Sequence, residues 1–234
     1  MQVLNGGQTL RTIHNFNRED KDNILSLSNS EILVRVFKTT IDQKLTNKIA
    51  EYTNSQNSIS NIDLKSLTSE QIQLEQYLDE HNIVYSRKSG DTGLSLDKHY
   101  ELKISMERFG QILFAIKGNP EKASNQKKQI FDKYYDDIFG IHSLKISESP
   151  SQIRQYFEIK KQYDLMSYKS SDQKVFYILY LLNHTSGTLI STIRKFERVV
   201  NSFEVDKDNP VSEARKLIQV RFKEHLDKRF KISN

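Results

Sequence analysis

The 234-residue sequence contains no cysteine, and this absence excludes disulfides, thiolate nucleophiles and thiolate metal sites together. It also lacks a long hydrophobic run. The longest, VFYILYLL at 175–182, falls far short of the roughly 20 residues that a transmembrane helix needs, so no membrane association is expected. The N-terminus lacks the basic, apolar and small-residue regions of a signal peptide, which makes the cytoplasm the expected location. The six histidines, at 14, 81, 99, 142, 184 and 225, form no H-x-x-x-H pair of the kind that helical metal sites use, so no metal ligand set is expected. No G-x-S-x-G elbow and no G-x-x-x-x-G-K-[ST] loop is present either.

What is present is charge, unevenly spread. The chain is 36% hydrophobic with a mean hydropathy of −0.64, which suits a globular protein with much charged surface. Residues 1–117 carry 14 Lys+Arg against 15 Asp+Glu, and residues 118–234 carry 21 against 15. The whole basic excess therefore lies in the second half, which points that half toward a polyanion.

Hydrophobic patterning divides the chain in the same sense. Short β-branched or aromatic runs at residues 2–4, 32–38 (ILVRVFK) and 83–88 (IVYSRK) read as strands. Leu45, Ile49 and Tyr52 share one helical face, and Thr68 with Gln71 forms a capping box for a helix running to about His81. Met106, Phe109, Leu113 and Ile116 form an apolar stripe that ends at Gly118-Asn119-Pro120, where glycine suits the C-terminal turn and proline blocks continuation. From Pro120 onward the pattern predicts helices at about 121–137, 150–168, 172–184, 188–204 and 210–230. The expected fold class is α+β, a small mixed α/β part (1–145) followed by a predominantly α-helical bundle (146–234), with the boundary in the Gly-, Ser- and Pro-containing stretch 140–150.

Several polar constellations have residue types suited to ligand chemistry. In QVLNGGQTLRTI, the turn Asn5-Gly6-Gly7-Gln8-Thr9 lies between an apolar run and a helical pattern. Its glycines permit an anion-binding nest of backbone N–H groups, but also a plain strand-to-helix corner. In TNSQNSISN, Gln56 falls on the extended apolar face of the preceding helix, where an amide must find partners. Asn54 and Asn57 flank it, and these carboxamides either read a ligand or brace the loop. Arg87 follows the third strand candidate and is a cation suited to phosphate or to a solvated strand end. Glu101-Leu102-Lys103, downstream of Asp91 and Asp97, has the outline of a metal-dependent nuclease motif, yet Glu158-Ile159-Lys160 repeats it in a helical stretch.

Taken in order, VLNGGQT, VRVFKTT, NKIAEYTNSQNSISNIDLKS, QIQLEQYL, VYSRKSGD and the segment from Gly110 to Phe139 resemble the abortive infection phage resistance (AIPR) family over roughly residues 2–140. The resemblance implies a prokaryotic antiphage defence protein without an established reaction or cofactor. Relatives usually carry a long region before the N-G-G-Q-T turn, so this chain is expected to be a C-terminal portion of a longer protein, or to work with a partner that supplies that region. The likeness concentrates on Asn5–Thr9 and Asn54–Asn57. It therefore favours one shared site in which the glycine turn and Arg87 hold phosphate while Gln8, Asn54, Gln56 and Asn57 contact a base or fix the loops. The expected function is a nucleic-acid or nucleotide-binding component of phage defence, with DNA or RNA as partner. The alternatives are a metal-dependent nuclease, or a protein-interaction module that senses a phage or host protein through an exposed apolar face bearing Phe196, Val200 and Phe203.

Overall fold

A computed structural model describes residues 7–19, 27–28, 30–31, 61–87, 99–204 and 211–232. The chain separates into two compact units, residues 1–59 and 60–234. In the first, Gly7–Glu19 forms helix α1. The strand readings at 2–4 and 32–38 and the helix reading at 45–52 lie outside the described residues.

The second unit begins with α2 (Asn61–Lys65) and α3 (Ser69–Glu80), followed by strands β1 (Ile83–Ser86) and β2 (Leu102–Ser105). The strands pair in parallel, Ile83 opposite Leu102 and Ser86 opposite Ser105. All four β1 residues are buried, as expected of a strand covered on both faces. The third sequence-predicted strand is thus present, although it ends before Arg87.

Helix α4 (Met106–Ile116) starts where Ser105 Oγ accepts a hydrogen bond from the Arg108 N–H at 3.1 Å. It stops at Gly118, whose φ of +101° is open to glycine and strained for other residues. The predicted stripe is its buried face: Met106, Phe109 and Leu113 are buried, and Ile116 packs against the same core. The next stretch departs from the sequence reading. The predicted single helix at 121–137 is three short helices, α5 (Pro120–Ala123), α6 (Lys127–Ile130) and α7 (Tyr135–Phe139). The breaks fold Ile130, Phe131 and Phe139 onto the bare backbone of Gly110, where an added Cβ would lie 3.0–3.3 Å from all three side chains.

The bundle follows as α8 (Ser149–Leu165), α9 (Asp172–His184), α10 (Leu189–Ser202), α11 (Glu213–Leu217) and α12 (Val220–Phe230). Three of the predicted helices appear within a few residues of their expected bounds. The last reading, 210–230, splits at Ile218–Gln219 into α11 and α12. Buried Tyr177 donates to the Leu217 carbonyl at this break (2.9 Å), satisfying a helix-end acceptor.

Helix α9 is the axis of this unit. Residues Lys174–Leu181 are buried without interruption, and α4, α5, α8, α10 and α11 pack around it. A helix that is apolar on all sides belongs inside a core, and this is where VFYILYLL sits. One buried cluster runs from Leu74 to Leu226, and Leu144 and Ile146, from the stretch read as a boundary, pack against it. The architecture is α+β, a small mixed part with a two-stranded sheet leading into a helical bundle.

Candidate functional site

Among the sequence-predicted site residues, Asn5, Gly6, Asn54, Gln56 and Asn57 lie outside the described residues. Gly7, Gln8 and Thr9 form the first turn of α1. Arg87 is the one member whose side chain can be followed. It forms an ion pair with Glu75 of α3 (2.9 Å) and donates to the Ser66 carbonyl. This guanidinium ties the end of β1 to α3 and to the turn before it, and Glu75 already neutralises much of its attraction for phosphate.

Around Arg87 runs a buried hydrogen-bond path that links α3, β1 and α7. Tyr85 donates to Gln71 Oε1 (2.6 Å), Gln71 Nε2 donates to the Tyr135 hydroxyl (3.1 Å), and that hydroxyl also bonds Thr68 Oγ1 (2.8 Å). Thr68 and Gln71 are the two residues read as a capping box. Thr68 is indeed the N-cap of α3, but its side chain makes no cap hydrogen bond, because both side chains turn to Tyr135 instead. Burial pushes the Tyr85 phenol well above its ordinary pKa. Burial also raises Tyr135, against the opposing hydrogen bonds from Thr68 and Gln71. Both therefore remain neutral donors and acceptors at physiological pH.

Beside β1 opens a cleft of about 500 Å³ lined by Ile83, Val84 and Tyr85 and by the acidic side chains Glu75, Asp79 and Glu80. Tyr100 donates to Asp79 at 2.7 Å. The negative lining disfavours a phosphate there.

Only part of the nuclease reading falls on described residues. Asp91 and Asp97 lie outside the described residues. Glu101 is exposed and pairs with Arg154 (3.2 Å), whereas Glu158, Ile159 and Lys160 sit inside α8. Among the described residues, no three His, Asp or Glu side chains converge as a metal ligand set would. The apolar face suggested for protein recognition is turned inward: Phe196 and Val200 are buried, and Phe203 packs edge-on against Phe222 with ring centroids 5.2 Å apart.

Sequence reasoning missed a different surface. On α10 the stripe Ile193, Phe196 and Val200 faces the core, which leaves Arg194, Lys195 and Arg198 on the exposed side. The one carboxylate of this helix, Glu197, is buried. It is held by Lys174 Nζ (2.9 Å) and by the Tyr163 hydroxyl (3.0 Å). The i, i+4 placement of Arg194 and Arg198 opposite an apolar stripe was a sequence signal for this basic face.

No helix of the described residues is long and apolar enough to cross a membrane. The model of the AIPR protein family matches residues 1–227, nearly the whole chain. No curated protein and no solved structure matches it. The ordered motifs and the extent of that match make this chain a member of the AIPR family of abortive-infection, phage-resistance proteins.

Proposed function

We propose that, within phage defence, this chain is a nucleic-acid or nucleotide-binding component. The observation that carries this reading is the charge left on the surface of the second half. Among the described residues, folding buries three of its carboxylates, Glu121, Glu197 and Asp227, but only one of its cations, Lys174, to the same degree. The exposed surface is therefore more basic than the 21-to-15 composition of residues 118–234 suggests.

The proposed nucleotide contacts of the first unit remain Asn5, Gly6, Gly7, Gln8, Thr9, Asn54, Gln56 and Asn57. Support comes from the helix that begins at Gly7, since the N–H groups of a first helical turn are free to meet an anion.

Fluorescence-anisotropy titration of the purified chain with labelled single- and double-stranded DNA and RNA, at two salt concentrations, tests the reading. Binding that weakens steeply with salt supports it. Absence of binding at low salt refutes it. Magnesium-dependent cleavage that disappears in Glu101→Gln would replace it with the nuclease reading.

A further inference from the structure

We propose that the outward face of α10, continued by the end of α12, is the surface on which the phosphate backbone of double-stranded nucleic acid lies, a proposal that rests on the nucleic-acid reading above. Arg194, Lys195 and Arg198 fall within about 100° of arc on α10, and Arg194 and Arg198 stand about 6 Å apart along the helix axis. All three are exposed, and none has a carboxylate within 4 Å among the described residues. Some surface cations elsewhere in the unit do have such partners, Arg108 with Asp172, Lys127 with Glu107 and Arg154 with Glu101. Others, such as Lys160 and Lys161 of α8, have none among the described residues, like those of α10, so it is their clustering that marks this face.

The face extends onto a second helix. Lys195 Nζ lies 4.0 Å from the ring centroid of Phe230, which brings the end of α12 against α10. Lys228, Arg229 and Lys231 flank that ring in sequence, all exposed and without a carboxylate partner among the described residues. Among the described residues, two carboxylates border the surface: Glu204 follows α10, and Glu224 precedes Lys228 by one turn. Asp227 is buried, engaged by Lys223 (2.7 Å) and Tyr180 (2.8 Å). Among the described residues, cations thus outnumber exposed anions across the two-helix ridge.

The aromatic residues decide between duplex and single strand. Single-strand binders stack bases on open aromatic rings set among cations. Here the rings of both helices are occupied: Phe196 and Phe222 are fully buried, Phe203 packs on Phe222 and His225, and Phe230 is covered by Lys195. A ridge with cations and no free ring can attract a regular array of phosphates but offers bases nothing to stack on. It therefore favours duplex and reads no sequence.

The test uses the full chain and a labelled 20-base-pair duplex, its single strand, and vesicles of anionic phospholipid, each titrated from 50 to 200 mM salt. The ridge variant carries Arg194→Gln, Lys195→Gln and Arg198→Gln. A control carries Lys160→Gln and Lys161→Gln on the exposed side of α8. Three lost phosphate contacts lower the slope of log K against log salt by about 2.7, so across this range wild type should lose about 40-fold more affinity than the ridge variant. The control should follow wild type, and Arg194→Lys with Arg198→Lys should restore the slope. Duplex binding that the ridge variant retains in full would overturn the surface while leaving the nucleic-acid reading intact. Tighter binding of the single strand would overturn the duplex assignment. Ridge-dependent binding to vesicles, with no nucleic acid bound at low salt, would overturn this proposal and the functional reading together.

Discussion

Removing the carboxylate of Glu197 should destabilise the protein by about 3–5 kcal/mol, because it strands a buried ammonium ion. Lys174 is 2% exposed and Glu197 5%. The lysine Nζ lies 2.9 Å from Glu197 and 3.1 Å from Glu213, while the Tyr163 hydroxyl occupies the second Glu197 oxygen at 3.0 Å. In Glu197→Ala, Lys174 keeps only Glu213, which is 39% exposed and shares its charge with water. Tyr163 loses its acceptor as well. Lys174→Met fails in the complementary way, leaving a buried carboxylate with one hydroxyl donor. The double variant Lys174→Met, Glu197→Leu removes both charges and fills the volume, so it should cost less than the sum of the singles by at least about 2 kcal/mol. Urea unfolding followed by far-ultraviolet circular dichroism measures each corner of this cycle, and a loss of 3 kcal/mol in a chain of this size lowers Tm by roughly 6–12 °C. Additive single variants, each costing below about 1 kcal/mol, would refute the reasoning, since that result describes a solvated surface pair.

Two further outcomes follow from the same core. Gly110→Ala should cost about 1–3 kcal/mol, because its Cβ would press on Ile130, Phe131 and Phe139, and the same unfolding assay detects this. Stability should fall above pH 10. Burial pushes Tyr156 up to about 12 and raises Tyr85, Tyr135, Tyr163, Tyr177 and Tyr180, so the unfolded chain loses these protons first. Their stabilising contribution is complete below the unfolded value near 10 and disappears as pH rises through the folded values, at about 1.4 kcal/mol per pH unit for each titrating phenol. Thermal melts between pH 8 and 12 check the sign, and a Tm that stays flat across pH 10–12 would contradict the burial of these hydroxyls.

Elements whose cause is local were legible in the sequence. Helix α4 carries its stripe, its Ser105 cap and its Gly118 stop within one stretch of chain, and α9 spans the predicted 172–184. In both, periodicity and end chemistry agree, and packing had only to accept them. The basic excess of the second half was equally legible, though its location on α10 and α12 depended on knowing which face of each helix the core takes.

Contacts between distant residues overrode local patterns elsewhere. Thr68 and Gln71 have the spacing of a capping box, yet Tyr135, more than sixty positions away, draws both side chains. Residues 121–137 have a helical pattern, yet two breaks let apolar side chains from this stretch and from Phe139 converge on Gly110. Arg87 reads as a free cation at a strand end, and Glu75 and Ser66 engage it because α3 packs against β1.

By itself, then, the sequence determined the family, the α+β class, the span of helix α9 and the sign of the charge on the second half. Those properties sum over many residues or depend on neighbours a few positions apart, so no single distant contact can reverse them. Only the tertiary structure decided which polar groups are engaged inside and which cations face outward. The fate of a polar side chain is set by whichever partner the fold brings within hydrogen-bonding distance, and that partner need not be near it in sequence.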